Sequence, residues 1–182
     1  MGEIILVTGG SRSGKSQFAQ VSAEALPGPR ALIATCPVID DEIELRIRKH
    51  QEARRGRDWQ TIEEPLDIEG AVRHAHGYHC LVVDCLTLWI NNLLYEARKT
   101  GSTISEADIA VYCHELLAAC KVHPGTILFV SNEVGMGIVP ENPLSRLYRD
   151  LVGRCNQIMA GTSHRVVLLV CGQPLEIKKG ES

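Results

Sequence analysis

The feature that most constrains the fold is an apolar run over residues 3–8 that leads directly into the stretch GGSRSGKS over residues 9–16. This stretch fits the pattern G-x-x-x-x-G-K-[ST] at every fixed position, and a sequence suited to a helix follows over residues 17–26. A buried strand, a glycine-rich turn and a helix in this order are typical of a P-loop. The chain is therefore predicted to bind a nucleoside triphosphate.

The residue types of the loop suit the phosphates of a nucleotide. Its glycines allow backbone N–H groups to turn inward and form an anion-binding concavity at the start of a helix. The ammonium group of Lys15 is expected to lie on the β- and γ-phosphates, and the hydroxyl of Ser16 to bind Mg²⁺. All eight residues of the loop are predicted to contact the nucleotide: Gly9, Gly10, Ser11, Arg12, Ser13, Gly14, Lys15 and Ser16.

Length and composition limit the remaining possibilities. The 182 residues, 45% of them hydrophobic, suit one domain over residues 1–182 that is large enough to bury a core. The net charge of -3 and the lack of a long basic tract argue against nucleic acid as a partner. The sequence begins without a signal-like segment, and no apolar run is long enough to span a membrane, so we expect a cytoplasmic protein.

Cysteine and histidine are interpreted as structural or surface residues. The seven cysteines form no C-x-x-C pair and lie mostly in or beside apolar segments, which favours reduced thiols over disulfides or zinc ligands. His74, His76, His79 and Cys80 are close in sequence, but they flank the start of a strand in a polar turn. Surface histidines are the favoured interpretation, and no metal cluster is predicted there.

Alternating strand and helix patterns predict the fold class. Short, nearly continuous apolar runs occupy residues 3–8, 30–35, 79–84, 126–131 and 165–171. Helical patterns occupy residues 14–26, 40–55, 66–76, 86–99, 105–123 and 143–161. This alternation predicts a three-layer α/β domain with a mainly parallel central sheet. Ligands are expected at the carboxyl ends of its strands.

The predicted strand ends provide candidate residues beyond the P-loop. The second strand ends at residues 34–36, the third at Asp84 and the fourth at residues 131–133. Asp84 has the position of a Walker B carboxylate that holds Mg²⁺, although an aspartate here also suits the cap of the next helix. Glu133 opens a loop with two glycines and a proline, for which contact with an acceptor substrate and plain loop closure are both open.

The predicted second helix carries a histidine of interest. Ile43, Ile47 and His50 fall on one face, with Arg46 and Arg54 one turn to either side of His50. On this pattern alone, His50 is most often a partly buried or surface residue. The arginines nevertheless form a phosphate-binding environment and favour the neutral, nucleophilic imidazole, which can attack an α-phosphorus and carry a nucleotidyl group.

Further segments extend this set of motifs over nearly the whole chain: residues 33–35, 41–42, 46–47, Trp59, 63–65, 84–87, 91–94, 132–140, Arg146, 149–150, Gly153 and 156–157. Together with the P-loop and His50, they resemble the bifunctional adenosylcobinamide kinase / adenosylcobinamide-phosphate guanylyltransferase family of cobalamin assembly. Residues 132–140 are the most specific of these segments.

The resemblance implies a RecA-like P-loop fold assembled as a homotrimer, with Mg²⁺ as cofactor and ATP, GTP and a corrinoid as substrates. It also implies two reactions: phosphorylation of the aminopropanol hydroxyl of adenosylcobinamide with ATP or GTP, and then transfer of GMP from GTP to that phosphate. His50 matches the covalent GMP carrier of the family. The guanine nucleotide contacts that it implies outside the P-loop are Ala34, Thr35, Cys36, His50, Gln51, Glu52, Ala53, Glu63 and Asp84.

Two other functions remain open from the sequence. A P-loop kinase of another small alcohol would need Lys15, Ser16 and Asp84 but not His50, so that the substitution His50→Ala would be silent. A nucleotide-dependent binding switch would show no turnover that depends on an acceptor.

Overall fold

The computed structural model describes residues 2–37, Glu52 and residues 56–180. Seven strands form one sheet in the order β3-β2-β4-β5-β1-β6-β7. All neighbouring strands are parallel except β6 and β7, which are antiparallel. The strands are β1 (Ile4–Gly9), β2 (Arg30–Ala34), β3 (Trp59–Glu63), β4 (Cys80–Asp84), β5 (Thr126–Val130), β6 (Arg165–Val170) and β7 (Gln173–Lys178).

Of the five helices assigned in the described residues, three begin at a residue whose side chain accepts hydrogen bonds from the first N–H groups. Ser105 and Asp108 form a reciprocal capping box, and the Asn142 side chain accepts from Leu144 N and Ser145 N. None of these helices is long and apolar enough to cross a membrane. They are α1 (Lys15–Glu24), α2 (Ile68–His74), α3 (Leu86–Lys99), α4 (Glu106–Val122) and α5 (Pro143–Thr162).

The sheet separates two hydrophobic cores. Ile4 and Leu6 of β1 pack with α2 to α5 on one face, while Ile5 and Val7 pack with α1 on the other. Because successive side chains of a strand point to opposite faces, a strand that is buried on both sides has a continuous apolar sequence. The predicted three-layer α/β architecture with a mainly parallel sheet is confirmed.

Two strands were not predicted, and both lie at edges of the sheet. β3 is only half-buried, and every residue of β7 is exposed, so neither has a continuous apolar run. The predicted fifth strand ends at Val170 rather than at Cys171, because Cys171 and Gly172 have φ angles of 51° and 79° and form the turn to β7. Positive φ at both central residues is typical of a type I′ hairpin turn. The helix predicted over residues 40–55 lies outside the described residues except for Glu52.

The cysteines and histidines singled out in the sequence differ in exposure. All seven cysteines are free thiols, and Cys80, Cys113, Cys120 and Cys155 are buried, as predicted for small hydrophobes. Cys171 is an exception, because it lies exposed in the β6–β7 turn. His74, His76 and His79 are exposed.

Candidate active site

The carboxyl ends of the central strands lie in register at one edge of the sheet. Ala34 of β2 pairs with both Glu63 of β3 and Asp84 of β4, and Asp84 pairs in turn with Val130 of β5. Val130 pairs with Val7 of β1, two residues before the P-loop begins. The strand ends that the sequence singled out are therefore neighbours.

The P-loop connects β1 to α1 through backbone that requires glycine at both ends. Gly9 and Gly14 have φ angles of 146° and 96°, and a Cβ atom on Gly9 would lie 2.4 Å from the carbonyl oxygen of Leu169. The loop is also held from outside, since Gly172 N donates to the carbonyl oxygen of Ser13 over 3.0 Å. The P-loop therefore has a fixed shape, held against β6 and the turn between β6 and β7.

Lys15, the first residue of α1, directs its ammonium group back into the loop. Its Nζ donates to the carbonyl oxygen of Gly10 (2.5 Å), to Oδ1 of Asn132 (3.0 Å) and to Oγ of Ser13 (3.4 Å). Burial lowers the pKa of Lys15, and the nearby Cys85 and Asp84 partly offset that effect. The positive charge is thus held among neutral oxygens at the place where a phosphate is expected.

A cavity of about 570 Å³ opens over the P-loop. Residues 11–17 line it together with residues 84, 85, 87 and 88 after β4 and residues 130–132 at the end of β5. Ser16 and Asp84 both line this cavity. A hydroxyl and a carboxylate beside a phosphate site are the hard oxygen donors that Mg²⁺ prefers, so these two residues fit the ion.

Thr35 lies beside this cavity, but its side chain hydrogen-bonds to the backbone of Cys85 rather than facing the cavity space. Its buried hydroxyl donates to the carbonyl oxygen of Cys85 (2.8 Å) and accepts from Cys85 N (2.7 Å). The Asn92 side chain donates to the carbonyl oxygens of Thr35 (2.8 Å) and Pro65 (3.0 Å). The peptide bond between Asp84 and Cys85 is cis. This network fixes the chain immediately after Asp84.

The structure does not bring every predicted contact into the P-loop cavity. Six predicted contacts, at the start of the P-loop and at the ends of β2 and β3, do not line it: Gly9, Gly10, Ala34, Thr35, Cys36 and Glu63. Glu63 and Glu52 are exposed. Three further predicted residues lie outside the described residues: His50, Gln51 and Ala53. The roles assigned to these positions, to Glu52 and to the predicted residues that do line the cavity all stay predictions.

Several residues of the cavity were not identified as site residues from the sequence, among them Thr87, Leu88 and Asn132. Thr87 and Leu88 line the cavity from the first turn of α3, and the Thr87 hydroxyl lies 3.0 Å from Sγ of Cys85. Their position immediately after a Walker B-like strand is the sequence signal for them. The sequence indicates Asn132 only as a residue at a strand end, whereas in the structure its side-chain oxygen accepts a hydrogen bond from Lys15.

The loop after β5 is fixed at both ends. Glu133 N donates to the carbonyl oxygen of Gly9 (2.9 Å), and the Glu133 carboxylate accepts from Gly135 N (3.2 Å). At the far end, Nη1 of Arg146 donates to the carbonyl oxygen of Pro140 (3.0 Å). Between these points, Ile138 is 97% exposed. The carboxylate of Glu133 therefore closes a turn within its own loop.

A comparison with protein families identifies the chain. The model described as cobinamide kinase / cobinamide phosphate guanyltransferase matches residues 5–177. The chain belongs to this family. The family and the enzyme class that the sequence motifs indicated are thereby confirmed.

Curated relatives extend over nearly the full chain. The bifunctional adenosylcobalamin biosynthesis protein CobU of Escherichia coli is 37% identical, with 96% of this chain and 99% of the relative covered. CobP of Pseudomonas aeruginosa, which carries the same description, is 40% identical over 95% of this chain and 96% of the relative. CobU of Salmonella typhimurium is 39% identical over 96% of this chain and 99% of the relative.

A solved structure of an ATPase from the type III secretion system of pathogenic bacteria shares the fold. It has a TM-score of 0.59 and 12% sequence identity, and the match covers 93% of this chain and 51% of the ATPase. At this identity the similarity concerns the fold alone, and it confirms the P-loop architecture of this member of the cobinamide kinase / cobinamide phosphate guanyltransferase family.

Proposed function

We propose that this chain catalyses two successive reactions of cobalamin biosynthesis. It phosphorylates the aminopropanol hydroxyl of adenosylcobinamide with ATP or GTP, and it then transfers GMP from GTP to the new phosphate. The products of the second reaction are adenosylcobinamide-GDP and pyrophosphate. The observation that carries the proposal is the P-loop cavity, where Lys15, Ser16, Asp84 and Asn132 meet at the strand ends of a chain that belongs to this family.

In the kinase step, the chain binds the triphosphate and orients its terminal phosphate. The N–H groups of the P-loop and Lys15 hold the β- and γ-phosphates, while the hydroxyl oxygen of the corrinoid attacks the γ-phosphorus. The bond from that phosphorus to the β–γ bridging oxygen breaks, the nucleoside diphosphate leaves and the hydroxyl gives up its proton to solvent water. Mg²⁺, when bound by Ser16 and Asp84, supplies positive charge at the phosphates.

In the guanylyl step, His50 is the nucleophile. A ring nitrogen attacks the α-phosphorus of GTP in line with the departing pyrophosphate, and a phosphoramidate forms. An oxygen of adenosylcobinamide phosphate then attacks the same phosphorus, so that the bond to nitrogen breaks and free histidine returns. Two in-line displacements give retention of configuration at that phosphorus. Gln51, Glu52, Ala53 and Glu63 are assigned to the guanine nucleotide.

The two steps place different demands on the nucleotide. A P-loop presents the γ-phosphate to an acceptor, whereas guanylyl transfer needs the α-phosphate beside His50. We therefore expect the nucleotide or the segment that carries His50 to change position between the two reactions. A complex in which one unchanged nucleotide position serves both steps would contradict this expectation.

The assembly and setting belong to the same proposal. We expect a homotrimer that acts in the cytoplasm on nucleotide and corrinoid substrates, with Mg²⁺ as cofactor. Sedimentation or light scattering of the purified protein gives its mass in solution, and a monomer would contradict the trimer.

Covalent labelling tests the proposed function directly. The protein is incubated with Mg²⁺ and GTP labelled at the α- or the γ-phosphorus, denatured and mapped for retained label. We expect label from the α position alone, lost in acid and absent from the variant His50→Ala. The matched control is His114→Ala, because His114 is an exposed histidine on α4.

Each outcome separates the candidate functions. Label that is retained in His114→Ala and lost in His50→Ala supports the guanylyl carrier. Absence of label while the protein binds GTP would favour the kinase that uses no histidine carrier. Absence of any turnover that depends on adenosylcobinamide would favour a nucleotide-dependent switch.

A further inference from the structure

The side chain of Asn132 lies on the lining of the P-loop cavity, at the carboxyl end of β5. Its orientation follows from the chemistry of its partner. A lysine ammonium group has only donors, so the carboxamide must present Oδ1 to Nζ of Lys15, over 3.0 Å. The amide nitrogen Nδ2, with its two N–H groups, is therefore the part of the side chain that is left to bind something else.

Nδ2 of Asn132 donates to no acceptor among the residues that the structure describes. The side chain is half-buried and lines the same cavity as Ser16 and Asp84. A donor of this kind, beside a lysine in a phosphate-binding cavity, suits an anionic oxygen.

The backbone of Asn132 is held from two directions. Asn156 on α5 donates through Nδ2 to the carbonyl oxygen of Asn132 (3.1 Å) and accepts from the Ser131 hydroxyl (2.5 Å). On the other side, Ser131 N donates to the carbonyl oxygen of Val7 and Glu133 N to that of Gly9, each over 2.9 Å. The carboxamide therefore projects from a segment that is fixed to both β1 and α5.

We propose that Asn132 is a second phosphate-contacting residue of this cavity. Its amide oxygen positions Lys15, and its amide nitrogen donates a hydrogen bond to the terminal phosphate of a bound nucleoside triphosphate. This inference rests on the proposed function, because it needs a triphosphate in the cavity. Its consequence is a preference for triphosphate over diphosphate that depends on one carboxamide.

A neutral amide has an advantage over a carboxylate at this position. An aspartate would also accept from Lys15, but it would offer no donor to the phosphate and would repel it. The variant Asn132→Asp thus keeps the contact with Lys15 and removes the contact with the phosphate. The variant Asn132→Ala removes both contacts, so the pair of variants separates the two roles.

The test compares the affinities of the full chain for the β,γ-imido analogue of ATP and for ADP, by calorimetry with Mg²⁺. The quantity of interest is the ratio of the two dissociation constants. We expect Asn132→Ala to lose about tenfold of the preference for the analogue, the size expected for one hydrogen bond to a charged group, and Asn132→Asp to lose at least as much because its carboxylate also repels the phosphate. The control is Gln60→Ala, because Gln60 is an exposed amide on β3 and its loss should leave the ratio unchanged.

An unchanged ratio of the two dissociation constants in both variants would overturn the inference. If analogue and ADP were weakened equally, Asn132 would act only through the loop or through Lys15; if neither were weakened, it would have no role in binding. The labelling experiment separates this result from the proposed function: if the wild type forms no adduct at His50 but the affinity ratio falls as expected, the contact with the terminal phosphate stands and the guanylyl step fails.

Discussion

The substitution Thr35→Val tests whether one buried hydroxyl fixes the chain after Asp84. Valine nearly matches threonine in shape but can neither donate nor accept, so the N–H of Cys85 loses its partner at 2.7 Å. The carbonyl oxygen of Cys85 loses the hydroxyl but keeps its hydrogen bond from Trp89 N at 3.1 Å. One orphaned N–H in a partly buried place costs about 2 kcal/mol of the free energy of unfolding.

The matched control is Thr35→Ser, which keeps the hydroxyl and loses one buried methyl group, at about 1 kcal/mol. Both variants are unfolded in urea and followed by far-ultraviolet circular dichroism. Their free energies of unfolding are compared provided that the slope of free energy against urea concentration is the same in both. We expect the valine variant to be less stable than the serine variant by about 1 kcal/mol, the difference between these two costs. Equal stabilities, or a more stable valine variant, would refute the role assigned to the hydroxyl.

Two further predictions concern titration and reactivity. Hydrogen bonds, first from Gln20, lower the pKa of Glu24 below its ordinary value of 4.5, so Glu24 stabilises the fold above that pH and this contribution disappears as the pH falls through the lowered pKa. Urea unfolding of Glu24→Gln should therefore differ from the wild type at neutral pH and converge with it in acid; a constant difference would contradict the prediction. Burial raises the pKa of Cys80 to about 11 and of Cys120 to about 12, whereas Cys171 is exposed. Mass spectrometry after iodoacetamide treatment at pH 8 should find Cys171 modified first, and earlier modification of either buried thiol would be the opposite result.

The central sheet could be predicted because its strands carry their own signal. β1, β4 and β5 are buried on both faces, and such strands have short, continuous apolar sequences between turn residues. β3 and β7 are edge strands and lack this signal. The hairpin between β6 and β7 was also missed because Cys171 and Gly172 are not a common pair for a type I′ turn.

The candidate site was predictable as a set of strand ends but not as a set of contacts. Lys15 and Asp84 line one cavity, as their positions after β1 and at the end of β4 led us to expect, because P-loop spacing and strand ends follow from sequence order. The hydrogen bonds of Thr35 to Cys85 and of Lys15 to Asn132 join residues that are 50 and 117 positions apart. Contacts over such separations depend on side-chain rotamers and on the packing of the whole sheet, which no local pattern contains.

The turn between β6 and β7 bears on how the molecule tolerates inserted sequence. Hairpin tips at the edge of a sheet ordinarily accept extra residues, and they are common choices for peptide tags and domain insertions. In this protein, Gly172 N donates to the carbonyl oxygen of Ser13, and the Cα of Gly172 would lie 3.5 Å from a Cβ atom on Gly14. Lengthening the turn would move this donor away from the phosphate-binding loop, so a random-insertion library selected for nucleotide binding should be depleted at Cys171 and Gly172.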